Sequence, residues 1–132
     1  MSSEPVNQQR SRDIVHSYMG QAWRNNSGAY QDEFGRLVRY GLCNDSASLN
    51  AKFKSSDLIC CVPTLILPHM VGYHLGVFTA LEIKDGDWKL TPGDKRGNAQ
   101  ANFHGLVRDA CGFAGFVTDP AVDVPRITGR AT

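Results

Sequence analysis

The sequence predicts a small α/β or α+β domain whose elements run helix, hairpin, strand, strand, helix, strand. Three observations carry this expectation. The runs Leu58–Val62 and Gly76–Leu81 have the length and apolar composition of strands. The stretches 4–21 and 98–111 place apolar residues at helical spacing. The 132 residues make one domain, able to bury about two-thirds of its unfolded surface.

A first helix is expected from Glu4 to Gln21. Ser2 or Ser3 caps it, Pro5 suits its first turn, and Ile14, Val15, Tyr18, Met19 and Ala22 form its apolar stripe. Gly20 and the Asn25-Asn26-Ser27-Gly28 cluster end or follow it. Two short segments, near 22–25 and 35–42, are joined by a polar, Gly-containing link that can form a hairpin. Residues 43–56 have loop composition. Strand Asp57–Val62 then runs into Pro63, and the stretch to Gly76 carries Pro68, His69 and His74. Strand Val77–Lys84 leads to an Asp85-Gly86-Asp87 turn, a short Trp88-Lys89-Leu90 piece and a polar loop with Lys95 and Arg96. The last helix spans Asn98–Cys111, with Phe103, Leu106, Val107 and Ala110 on one face and Gly112 as its stop. A final strand covers Gly115–Thr118, and residues 121–132, with two prolines and no periodicity, are expected to be a tail outside the 1–120 domain. Trp23, Phe34 and Phe103 are assigned to the core.

Net charge is +1, so no global basic field announces a nucleic-acid binder. Arg10, Arg12, Arg24, Arg36, Arg39, Lys52 and Lys54 precede the acidic strands, and Lys89, Lys95 and Arg96 follow them; solvated side chains are the commoner explanation of such scatter. Cys43, Cys60, Cys61 and Cys111 follow no C-x-x-C spacing, and adjacent residues of a strand point to opposite faces. They are expected to be small buried hydrophobes in a reducing cytosol, without structural zinc. Met1–Arg12 is polar and no apolar run approaches membrane-span length, so neither a signal peptide nor a membrane partner is expected.

Asp57 and Glu82 each border an apolar run. Such strands are usually buried on both faces, where an ionised carboxylate is costly unless a positive group meets it. Lys84, two residues after Glu82, projects to the same side of the strand. Two carboxylates and one ammonium on converging strands can hold a divalent metal and orient a water. Mg²⁺ or Mn²⁺ suits such a set, with the Ile83 backbone carbonyl as third ligand, and Lys84 can orient or deprotonate the water. Taken alone, an Asp followed by a distant Glu-x-Lys is common by chance, and a strand-edge carboxylate paired with a lysine is the favoured explanation of it.

The ordered company of these residues adds a resemblance. Trp23-Arg24-Asn25-Asn26-Ser27-Gly28, Ser56-Asp57-Leu58-Ile59, Phe78-Thr79-Ala80-Leu81-Glu82-Ile83-Lys84, Gln100-Ala101-Asn102-Phe103 and Ala110-Cys111-Gly112-Phe113-Ala114-Gly115-Phe116-Val117 occur in the order found in one family. The chain, over residues 4–119, resembles the virus-type replication-repair nuclease (VRR-NUC) domains of the PD-(D/E)xK superfamily, in their stand-alone phage and bacterial form. The resemblance implies a restriction-endonuclease-like core, a central mixed sheet flanked by helices. It implies a Mg²⁺- or Mn²⁺-dependent deoxyribonuclease of DNA repair, in the cytosol of a bacterium or a phage-infected host. Asp57, Glu82, Lys84 and Gln100 would be catalytic. Asp57, Glu82 and the Ile83 carbonyl would bind metal, joined in some relatives by an acidic residue matching Glu4, with Asp13, Asp32 and Glu33 as rivals for that place. Arg24, Asn26, Lys95 and Arg96 would meet DNA, although Arg24 can as readily bracket the hairpin. The Pro that usually precedes the first Asp is Ser56 here. The substrate implied is branched DNA, cut by a Holliday-junction-resolvase-like homodimer. The alternatives are a flap or nonspecific nuclease, and an inactive DNA-binding or host-interaction module.

Overall fold

A computed structural model describes residues 3–130. Ser2, one of the two capping residues expected for the first helix, lies outside them. The chain is mixed α/β, with four α-helices and small sheets. It divides into two compact units, residues 1–14 with 22–60 and residues 15–21 with 61–132.

In the first unit, the opening helix α1 (Glu4–Ser17) contributes no buried residue. Its expected stripe is largely in solvent, with Ile14 and Tyr18 both exposed. The helix also stops before Gln21, because Met19 adopts a left-handed φ of 66°. Strand β1 (Gln21–Arg24) pairs not with its neighbour in sequence but with β4 (Leu58–Cys61). Asn25 holds this arrangement: its backbone N–H donates to the Asp57 carbonyl at 2.8 Å, and its side-chain amide donates to Ser55 Oγ and the Ser56 carbonyl, each at 2.8 Å. The hairpin expected from 22–25 and 35–42 is instead β2 (Gly28–Gln31) with β3 (Leu37–Tyr40), antiparallel, with Gly28 opposite Tyr40.

The turn of that hairpin is built by Asp32. Its carboxylate accepts from the Phe34 and Arg36 backbone N–H groups and from Arg36 Nε. The local bonding turns Phe34 outward, 73% exposed beneath the Arg36 guanidinium, rather than into the core as the sequence suggested. Within 43–56, where a loop was expected, Ser46 caps a short helix α2 (Ala47–Lys52) by accepting from the Leu49 N–H.

The second unit is organised around a parallel pair, β5 (Thr79–Ile83) and β6 (Phe113–Val117), joined by helix α3 (Lys95–Asp109). Asp94 starts α3 by accepting from the Gly97 N–H at 2.8 Å. Lys95 and Arg96 therefore occupy the first helical turn, not the polar loop expected there. The buried side of α3 is carried by His104, Val107 and, just past its end, Ala110, while Phe103 and Leu106 are substantially exposed. Val107 and Ala110 of the stripe read from sequence are buried as expected; Phe103 and Leu106 are not, and His104 takes the inner position beside them.

Cys61, Val107, Ala110, Ala114 and Val117 form the buried apolar centre of this unit. Gly112 is essential to it. A Cβ there would lie 2.8 Å from the Phe78 carbonyl oxygen, 2.8 Å from Val107 Cγ1 and 3.0 Å from Cys61 Sγ. The segment expected to be a tail contains a further helix, α4 (Pro120–Ile127), packed on β6. Asp123 organises its start by accepting from the Thr118 and Asp119 N–H groups, and Gly115 leaves room for Ile127. The periodicity overlooked was short: Val124 and Ile127, one turn apart, are its half-buried apolar pair.

The cysteines also depart from expectation. Cys43 and Cys111 are exposed, each at positive φ, Cys60 is half-buried, and only Cys61 is buried. Burial pushes the Cys61 thiol up, and its Sγ donates to the Ala110 carbonyl. The strands are not buried on both faces either: β5 alternates exposed and half-buried, because among the described residues it pairs with β6 alone and α3 covers one side. Among the described residues, no helix is long and apolar enough to cross a membrane.

Candidate functional site

The two carboxylates of interest are not in the dry surroundings that apolar runs suggest. Asp57 sits at the bend immediately before β4 and is exposed. It lines a cavity of about 320 Å³ in the first unit, together with Glu4, Asn7, Gln8 and Ser11 of α1. Glu4 occupies the first turn of that helix. Its sequence rivals are placed otherwise: Asp13 accepts from Gln9 Nε2 at 2.8 Å, Asp32 is consumed by the hairpin turn, and Glu33 is exposed in that same turn. Asn25 donates to the Ser55 hydroxyl and to the Ser56 and Asp57 carbonyls, so the backbone that carries this carboxylate is fixed.

Glu82 lies on β5 opposite Phe116, in a cavity of about 440 Å³ in the second unit. Arg96, Gln100 and His104 of α3 share its wall. Strand period and pairing explain Lys84. Its N–H donates to the Val117 carbonyl, continuing the parallel register, and its side chain returns to the face of Glu82. Nζ reaches Glu82 Oε1 at 3.6 Å and lies 5.1 Å from the Trp88 ring centroid. The Lys84 side chain is only 16% exposed. An ammonium confined between a carboxylate and an aromatic face is oriented, not merely tethered. The Ile83 side chain points to solvent at the edge of the same strand.

Gln100 has a distinctive environment. Its Oε1 is buried and has no hydrogen-bond partner among the described residues. An unmatched buried acceptor costs about 1–3 kcal/mol, and this one belongs to a residue of a cavity wall, where a water, a donor or a cation can meet it. His104 was not singled out from sequence. It is 3% exposed, its ring meets Phe116 edge-on at 4.7 Å, and burial first and the Arg108 cation second hold it below its ordinary pKa, against the pull of Glu82. At neutral pH it is an uncharged wall of the cavity. The signal available was its position one helical turn after Gln100.

Glu82, Lys84, Gln100 and Arg96 are thus gathered in the second unit, and Glu4 with Asp57 in the first. Lys95 is exposed at the start of α3 and does not line the Glu82 cavity. Arg24 ends β1, Asn26 follows it, and both are exposed. Among the described residues, no group of three His, Cys, Asp or Glu side chains forms a metal cluster. The donors in the second unit are oxygens: the Glu82 carboxylate, the backbone carbonyl of the next residue and the Gln100 amide oxygen. Such a set suits a hard divalent cation that keeps several waters, and suits zinc poorly. Comparison with protein families, with characterised proteins and with solved structures finds no match to this chain.

Proposed function

We propose that the chain is a metal-dependent endonuclease of the PD-(D/E)xK type, hydrolysing phosphodiester bonds in structured DNA. The observation that carries this is the second-unit cavity lined by Glu82, whose carboxylate meets Lys84, and by Gln100, whose buried oxygen has no partner among the described residues. A mere strand-edge ion pair accounts for Glu82 and Lys84, but leaves that acceptor unexplained.

In the second unit, Glu82, the Ile83 carbonyl and Gln100 Oε1 would hold Mg²⁺ or Mn²⁺; in the first unit, Asp57 and Glu4 would be carboxylate donors of their own cavity. When bound, the cation neutralises charge on the scissile phosphate and makes a coordinated water more acidic. The chain's own groups do the rest. Lys84 Nζ, fixed by Glu82 and Trp88, orients the attacking water. Arg96 offsets charge that grows on the phosphate oxygens, and neutral His104 with Phe103 keeps that wall dry. Water oxygen bonds to phosphorus as the phosphorus–oxygen bond to the leaving group breaks, the water's proton passing to solvent and the leaving oxygen taking a proton from solvent. Phosphoryl transfer draws most of its rate from this kind of positioning and electrostatics.

Branched DNA is the proposed substrate and a homodimer the proposed assembly, because a four-way junction offers two scissile strands related by a dyad. The test is a panel of labelled linear, flap, splayed and four-way substrates with Mg²⁺ or Mn²⁺, using the wild type and Lys84→Ala. Wild-type cleavage, its loss in Lys84→Ala, and retained DNA binding are expected. Cleavage indifferent to that substitution or to EDTA would sink the proposal. Light scattering that gives a monomer on junction DNA removes the resolvase version and leaves a flap or nonspecific nuclease.

A further inference from the structure

The first unit contains a second polar cavity, about 300 Å³, behind the β2–β3 hairpin. Arg39, Lys54, Asn44, Asn50 and Ser27 contribute its polar lining, and no Asp or Glu is among the residues around it. Both cations are held by amides rather than by acids. Asn44, 3% exposed, donates its side-chain N–H groups to the Gly28 carbonyl at 2.7 Å and the Tyr40 carbonyl at 2.9 Å. That fixes its Oδ1 to accept from Arg39 Nη1 at 3.1 Å. Lys54 Nζ, just past the end of α2, donates to Asn50 Oδ1 four residues earlier.

An amide oxygen orients a cation without neutralising it, whereas a carboxylate does both. Arg36 shows the contrast on the same hairpin, its guanidinium joined to Asp32 at 2.7 Å. Among the described residues, neither Arg39 nor Lys54 has a carboxylate within ion-pair distance. The tight end of the hairpin adds rigidity: Gly41, at φ 94°, lies so close to Ser27 and the Asn26 carbonyl that a side chain would not fit. Two oriented, uncompensated positive charges with a hydroxyl beside them form a receptor for a tetrahedral oxyanion. A guanidinium fork and a compact ammonium match phosphate oxygens well.

We propose that Arg39 and Lys54, with Ser27, form a phosphate-binding site separate from the Glu82 and Asp57 cavities. The phosphate belongs either to a polynucleotide backbone or to a free phosphate. The backbone source rests on the proposed nuclease function; the oxyanion chemistry does not depend on it.

The experiment uses the full chain in EDTA, so that no DNA is cut. Fluorescence anisotropy follows a labelled four-way junction and a labelled single strand over a salt series. Thermal shift follows inorganic phosphate and pyrophosphate. Wild type is compared with the double variant Arg39→Gln/Lys54→Gln, the charge-preserving Arg39→Lys/Lys54→Arg, and the control Arg36→Gln. If the backbone is the source, the neutral double variant binds DNA roughly tenfold more weakly, and its log–log salt slope falls by about 1 for each cation that meets a phosphate. The charge-preserving variant retains most of the affinity, and the control is unchanged. If free phosphate is the source, inorganic phosphate raises the wild-type melting temperature but not that of the neutral double variant, and neither affects DNA. An unchanged neutral variant in both assays overturns the site. So does equal loss in the charge-preserving variant with a lowered melting temperature, which assigns the residues to folding. Lys84→Ala separates the two proposals: lost cleavage with intact Arg39- and Lys54-dependent binding leaves both standing, while retained cleavage removes the nuclease function alone.

Discussion

Replacing Gln100 by Met should make the protein more stable and less active, a combination that a structural role for this residue would not produce. Gln100 Oε1 is buried without a partner, and such an acceptor costs the folded state about 1–3 kcal/mol. Methionine has nearly the same length and volume and carries no acceptor needing a partner, so that penalty is removed without opening a cavity. Unfolding entropy near the midpoint is about 2.1 cal/mol/K per residue, or about 0.28 kcal/mol/K for 132 residues. The melting temperature of Gln100→Met should therefore rise by about 4–11 °C in EDTA, read by circular dichroism. Added Mn²⁺ should raise the wild-type midpoint further and move the variant less, since one proposed oxygen donor is gone. Cleavage of junction DNA should drop at least tenfold. A lower melting temperature in EDTA would show that Gln100 has a stabilising partner in the fold. Wild-type cleavage by the variant would remove Gln100 from the active site.

Gly112→Ala should lower stability by about 1–3 kcal/mol, since its Cβ would press on the Phe78 carbonyl and on Val107 at 2.8 Å; chemical denaturation with an unshifted midpoint would contradict that packing. Asp123 gives a pH dependence with a definite sign. Backbone N–H groups of Asp119 and Thr118, and then Arg126, hold its carboxyl far below the ordinary 3.8. Its contribution is therefore present above pH about 4 and declines as the pH falls through the depressed folded value. Asp123→Asn should be less stable than wild type at neutral pH, with the difference narrowing on acidification; a gap that stays constant down to pH 2 would refute the assignment.

Local chemistry was legible in the sequence wherever a short rule governs it. The two-residue period of a strand put Lys84 on the side of Glu82, and Nζ indeed lies 3.6 Å from Oε1. The helix around 98–111 was visible from its spacing, and so was the burial of Val107 and Ala110, but not the exposure of Phe103 and Leu106. Phe103 and Leu106 are as apolar as Val107, and a stripe of apolar residues does not say which neighbour will cover it. The short α2 and the C-terminal α4 escaped detection because each has few apolar positions and depends on one carefully placed side chain, Ser46 or Asp123.

Residue order alone determined the elements that close within a few positions: α1, the strand with Glu82 and Lys84, the helix with Gln100, and the mixed α/β character. Tertiary structure decided what no local pattern encodes. It paired β1 with β4, placed Glu4 in a cavity with Asp57, left Gln100 without a partner, brought neutral His104 into the same wall, and left Arg39 and Lys54 uncompensated. The physical reason is that propensity and periodicity act through bonds and turns nearby in sequence. Burial, hydrogen-bond satisfaction and charge compensation depend on which distant groups come within a few ångströms.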